Sequence, residues 1–315
     1  MEQKEKRQIM QSANRTLAVT LFVYLAYSYV LLFLSNVLGE WLSFLDSTAF
    51  QLVSSQLLLL VPTIFFFVKN KLSPVQFLRV RAIKPLTVFL VVIFTYAAYP
   101  LLIFCNYVSL LFSESVIDHT VESLLNSLPL GVCLIIIAFV PCLVEECIFR
   151  GVLFQSYRKG GMTKAILITA VLFGLFHMNL NQMSYAIVMG MVFVCLNEAT
   201  GSILSSVLMH FLINGTSVVM SAVMYKMNGK MPDTEVAFDW KVLIFYGVAA
   251  GISLLIMYAL LHAISAIEGG KAFPNCFISD KAEEKTKVGS FALYAVLVIC
   301  VIMMILMEIG LHMQS

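Results

Sequence analysis

Nine stretches of predominantly apolar sequence, each bounded by polar breaks, dominate this 315-residue chain. They lie at 17–38, 48–68, 85–112, 129–151, 164–178, 183–198, 201–225, 242–266 and 290–312. A backbone in hydrocarbon has to satisfy its own hydrogen bonds, and about 20 apolar residues of helix cross a bilayer core. The runs therefore predict an all-α, polytopic transmembrane bundle of about nine spans. The fifth and sixth are short, which leaves eight if they are re-entrant or partial. Only 12% of the residues are charged and 60% are hydrophobic, against about 25% charged in soluble domains, so a soluble fold is excluded. The net charge of +2 is small and no basic block interleaves with aromatics, which argues against a nucleic-acid partner. All seven cysteines but Cys276 lie in apolar runs, where a thiol packs as a small hydrophobe, and no disulfide framework is implied.

The basic residues orient the spans. Seventeen of the 20 Lys and Arg fall on one side of the alternating loops, leaving Lys226, Lys230 and Lys241 for the other. Cytoplasmic loops hold the excess, so the N-terminus is predicted inside and the C-terminus outside. Lys4, Lys6, Arg7 and Arg15 precede the first run as they would in a signal peptide. That run is longer than an h-region and lacks a small-residue cleavage site, so it is read as a retained anchor. The loops Lys226–Trp240 and Lys271–Gly289 are too short for separate soluble domains. The chain divides into flanking helices at 1–128, a core at 129–225 and flanking helices at 226–315.

Ionisable groups inside lipid are costly and mark function by default. Most of the 18 Asp and Glu lie in tails, loops or interfaces, Glu198 at the very edge of its run among them; the exceptions are Glu145, Glu146 and, near the end of the last span, Glu308. In VEECIFRG, Glu146 and Arg150 stand four apart on one helical face and can pair, while Glu145 is turned about 100° away. His177 ends the run FGLFH four residues after Phe173, and His210 begins HFLIN with Asn214 one turn along. Glu145 lies 13 residues from Arg158, His177 13 from Lys164 and His210 9 from Gly201. These intervals correspond to depths of roughly 14 to 20 Å, near mid-membrane, where the three helices can meet in one polar chamber.

Such a set suits peptide hydrolysis. A carboxylate in a partly desolvated chamber can take a proton from water, a histidine can orient that water, and an Asn amide with a second His can stabilise an oxyanion. Alternatively, Glu145 or Glu146 with His177 and His210 forms the two-His, one-carboxylate ligand set of a catalytic zinc. The residues alone leave both open. Rival readings are a proton-coupled transporter, although no inverted repeat is visible despite Pro62, Pro100 and Pro141 within spans, and a non-catalytic scaffold or immunity protein. His119 and His312 read as loop and end residues, and Gly247 with Gly251 as a close helix contact.

At these residues the chain resembles the CAAX-processing and bacteriocin-processing (CPBP, Abi-type) intramembrane proteases. The family's EExxxR appears as EECIFR (Glu145, Glu146, Arg150), its FxxxH as FGLFH (Phe173, His177) and its HxxxN as HFLIN (His210, Asn214), in the family's order. The resemblance covers about 129–225. It implies an endopeptidase with Glu145 as water-activating base, His177 assisting, and His210 with Asn214 at the oxyanion. Glu146 and Arg150 would be an orienting pair or part of the substrate site, with Phe173 a chamber wall. It leaves open whether Glu145, His177 and His210 hold a zinc ion or act without a cofactor. The implied partners are membrane lipids and a peptide or protein substrate, prenylated or leader-bearing.

Overall fold

Helix is the only regular structure among the described residues, as a chain that must satisfy its backbone in lipid requires. The computed structural model describes residues 2–38, 41–113, 117–228, 238–269 and 287–313. Its helices are α1 Glu2–Leu38, α2 Thr48–Asn70, α3 Pro74–Phe77, α4 Pro85–Leu110, α5 Ile117–Ser127 and the continuous run α6 Leu130–Gly160. After them come α7 Met162–Phe176, α8 Leu180–Thr200, α9 Leu204–Asn228, α10 Trp240–Glu268 and α11 Phe291–His312. Eight of these, all but α3, α5 and α7, are long and apolar enough to cross a membrane. With the shorter apolar α7 they match the nine runs in the sequence, and the protein is a multi-pass membrane protein. Much of the outer loop, all of the inner loop up to residue 286 including Cys276, and the side chains of His119 and His312 lie outside the described residues.

Three boundaries differ from the sequence reading, each for a physical reason. The first helix starts at Glu2 rather than near residue 17, because Ile9, Met10 and Ala13 give its charged half a buried apolar face. The fourth runs on from 151 to Gly160, because Arg150, whose charge closes the apolar run in the sequence, is buried against Glu146 instead of ending the span. The sixth is not partial: α8 has 21 residues, about 31 Å of helix. Asn179 starts α8 by accepting a hydrogen bond from Gln182 N at 2.8 Å, and Gly201 ends it in the left-handed region at φ 71°.

α8 is the most enclosed span. It packs on α4, α7, α9 and α10. A Cβ on Gly190 of α8 would stand 2.8 Å from the Ala170 Cα of α7, so glycine lets the two backbones meet. Glu308 of α11 accepts a 3.4 Å hydrogen bond from Leu180 N, the first residue of α8. A carboxylate at a helix N-terminus is electrostatically matched, which gives this intramembrane acid a structural role. At the other end of the bundle, the buried Asn14 of α1 joins three helices. Its amide donates to Val288 O and Ser290 Oγ, both at 2.8 Å, beside the start of α11, while its oxygen accepts from the Tyr157 hydroxyl of α6 at 2.5 Å. Phe22, Phe65, Phe245 and Leu255 stand on the outer surface, as lipid-facing side chains do.

Candidate active site

The site is built on α6, whose helical geometry changes twice. Pro141 lacks an N–H and its ring crowds the carbonyl four residues earlier. Directly before it, residues Leu134–Phe139 take wider π-helical turns. Regular α-helix over Val140–Glu146 then carries both glutamates, and a second π segment, Cys147–Leu153, carries Arg150. Irregular turns of this kind are common at functional sites. On this frame the two neighbouring carboxylates reach different surroundings. The Glu146 side chain is 0% exposed and its Oε1 lies 3.0 Å from Arg150 Nη1, in a residue whose side chain is 1% exposed. The Glu145 side chain is 19% exposed.

His210 of α9 faces both. Its Nδ1 lies 3.1 Å from Glu146 Oε1 and its Nε2 lies 3.8 Å from Glu145 Oε2. The second separation exceeds direct hydrogen-bond reach; catalytic bonds often close only when substrate is present. Aromatic rings enclose this cluster. The Arg150 guanidinium lies 4.0 Å from the Phe173 ring centroid and 4.6 Å from that of Phe193, near enough for cation–π attraction in a desolvated setting. Phe193 also stacks on His210, with centroids 5.1 Å apart.

His177 stands where α7 ends. Its Nδ1 lies 2.7 Å from Phe173 O, and a carbonyl only accepts, so Nδ1 carries the proton and Nε2 keeps its lone pair. The next residue, Met178, takes φ 51°, a left-handed conformation disfavoured for a side chain of this size, which turns the chain sharply behind His177. The rings of His177 and His210 contact the same Phe173, with centroids at 4.9 and 6.0 Å.

The structure thus gathers Glu145, Glu146, Arg150, Phe173 and His210 and joins His177 to them through Phe173. Asn214 lies half-buried one turn beyond His210 on α9 and takes no part in these contacts. The His210 Nδ1 is engaged by Glu146, which leaves its Nε2 for Glu145 or substrate. Phe193 was not foreseen, because an apolar residue in an apolar run carries no polar signal. The zinc set of Glu145, His177 and His210 is not assembled: among the described residues no three His, Cys, Asp or Glu side chains are grouped closely enough to hold an ion.

No curated protein and no solved structure matches the chain. Residues 127–216 match the family described as Rce1-like, type II CAAX prenyl endopeptidase Rce1-like, and this segment contains Glu145, Glu146, Arg150, Phe173, His177, His210 and Asn214. This segment, rather than the whole chain, matches the CPBP/CAAX protease family that EECIFR, FGLFH and HFLIN resemble.

Proposed function

We propose that the protein is an intramembrane endopeptidase in which Glu145 activates water. The observation that carries this reading is the division of labour between adjacent carboxylates. Glu146 is locked by Arg150 and His210, whereas Glu145, 19% exposed, keeps an oxygen facing the open side of the cluster, 3.8 Å from His210 Nε2. In this reading water lies between Glu145 and the lone pair of His177 Nε2. Its oxygen attacks the peptide carbonyl while Glu145 takes its proton. The Asn214 amide donates to the developing oxyanion. As the C–N bond breaks, Glu145 passes that proton to the leaving amine with His210 Nε2 beside the transfer, and the new carboxylic acid then gives its remaining proton to the amine, leaving a carboxylate and an ammonium. Glu146 and Arg150 orient His210 through its Nδ1. No step is routed through a metal ion.

The description of the matched family supports a prenylated substrate, and the motif resemblance widens the proposed class to a membrane-associated protein or peptide, prenylated or leader-bearing. The test is cleavage of quenched peptides, with and without a prenyl group, by the purified full-length protein. A base contributes about 10² to 10⁴ in rate, so Glu145→Gln is expected to lose at least a hundredfold while inserting normally. Undiminished cleavage in Glu145→Gln would overturn the assignment. A chelator arm with metal restoration tests zinc dependence. Cleavage by neither protein, together with an intact cellular phenotype in the variant, would favour a scaffold.

A further inference from the structure

Two cavities flank the connection between α2 and α4. One is an apolar groove of about 430 Å³ whose lining includes Leu60, Ile64, Phe67, Leu72, Leu78 and Cys147. The other, of about 350 Å³, is lined by Gln76, Phe77, Arg79, Gln155, Arg158 and Lys159. α2 supplies the largest share of the groove, and both cavities share the α3 connection and α6. Along α6 the order is Cys147 in the groove, Gly151 under the Leu78 side chain, then Gln155, Arg158 and Lys159 in the second cavity. The groove runs from Lys71 and Leu72 at the polar end of α2 to Cys147, which lies roughly 16 Å along α6 from Arg158 at helical rise, so its inner end is deep in the span and the basic cavity is at the span's end.

The basic cavity has cationic capacity beyond its internal pairing. Arg158 donates to both oxygens of Glu198, at 2.9 and 3.0 Å, and Arg79 pairs with the same carboxylate. Two guanidiniums therefore share one anion. Lys159 places its ammonium 5.7 Å from the Phe77 ring centroid rather than on a carboxylate, and Lys6 of α1 adds its positive field there.

From this arrangement we infer a binding site for an anionic phospholipid of the arginine-rich leaflet. Its phosphate sits among Arg79, Arg158 and Lys159, and an acyl chain runs along α2 into the groove beside Cys147. The depth order matches an amphiphile with its head at the membrane edge and its tail inside. Basic cavities between spans are suited to lipid headgroups. The groove reaches the residue next to Glu146, so a bound lipid braces the π segment that carries Arg150. The inference does not depend on proteolysis.

The experiment reconstitutes the full-length protein in bilayers of phosphatidylcholine alone or with phosphatidylglycerol, and adds inorganic phosphate to the former as a separate arm. Lipid retained after detergent extraction is counted by native mass spectrometry, beside the thermal midpoint. Phosphatidylglycerol should be retained selectively and raise the midpoint. Lys159→Gln should weaken retention about fivefold, the worth of one basic residue near a charged membrane surface. Lys159→Arg should restore it. Ile64→Trp, which fills the groove from an exposed position, should reduce retention with the basic cavity intact. Equal retention of the two lipids, an unchanged Lys159→Gln variant, or a full midpoint shift from inorganic phosphate alone would each overturn the proposal.

Discussion

Glu146 and Arg150 form an ion pair with almost no access to water, and removing one partner leaves a buried charge uncompensated. Arg150→Met is expected to destabilise the protein by about 3–5 kcal/mol, read as the unfolding midpoint in detergent. Adding Glu146→Gln should recover most of that loss, because desolvation of the lone carboxylate is the larger part of the cost. Glu145→Gln should leave the midpoint nearly unchanged, separating the chemical carboxylate from the structural one. The pairing of Glu146 with Arg150 was legible at i,i+4, as was the separate environment of Glu145. The placement of His210 between the two carboxylates, bonded to Glu146 and 3.8 Å from Glu145, was not, because it depends on how α9 is rotated against α6. Phe193 was invisible for a related reason: its contacts with Arg150 and His210 are tertiary, and no local spacing encodes them.

Among the elements, the α7–α8 pair sets the distance between His177 and the rest of the cluster. Its closest approach is Gly190 against Ala170. Gly190→Ala would put a methyl against backbone atoms, where relief requires the helices to separate. Overpacking of this kind costs about 1–3 kcal/mol. The expected result is a lower midpoint together with reduced cleavage, and a compensating Ala170→Gly should restore part of both. Hydropathy made the spans legible because lipid imposes one solution on an apolar run. It misplaced the end of α6, since a buried Arg150 reads locally as a terminus. Pro141 marked where α6 departs from regular helix, but the π turns on either side follow from packing that one residue does not specify.

For the whole molecule, the apolar surface around the bundle and the asymmetry of Lys and Arg set how it sits in a bilayer. Placing the excess of Lys and Arg in the cytoplasm predicts that a reporter fused after residue 315 is reached by an impermeant label in intact cells and that one fused before residue 1 is not. The reverse pattern would invert the topology. The α1–α6–α11 junction gives a second test. Tyr157→Phe removes the hydroxyl that donates to Asn14 and leaves a buried acceptor unmet, at a cost of about 1–3 kcal/mol. A midpoint shift without a change in cleavage chemistry is expected in the Tyr157→Phe protein, measured by thermal unfolding beside peptide turnover. The sequence did not disclose this junction, because its partners are separated by 143 and 274 positions along the chain.

That junction also imposes an order on biogenesis. Asn14 and Tyr157 leave the ribosome well before Val288 and Ser290 have been synthesised, so the end of α6 lacks its final clasp throughout most of translation. The contacts of α6 with α1, α2, α7 and α9 can form earlier, and the bridge from Asn14 to the start of α11 closes last. The last span therefore adds stability to a cluster already gathered from α6, α7 and α9, in keeping with a Tyr157→Phe loss that falls on the unfolding midpoint.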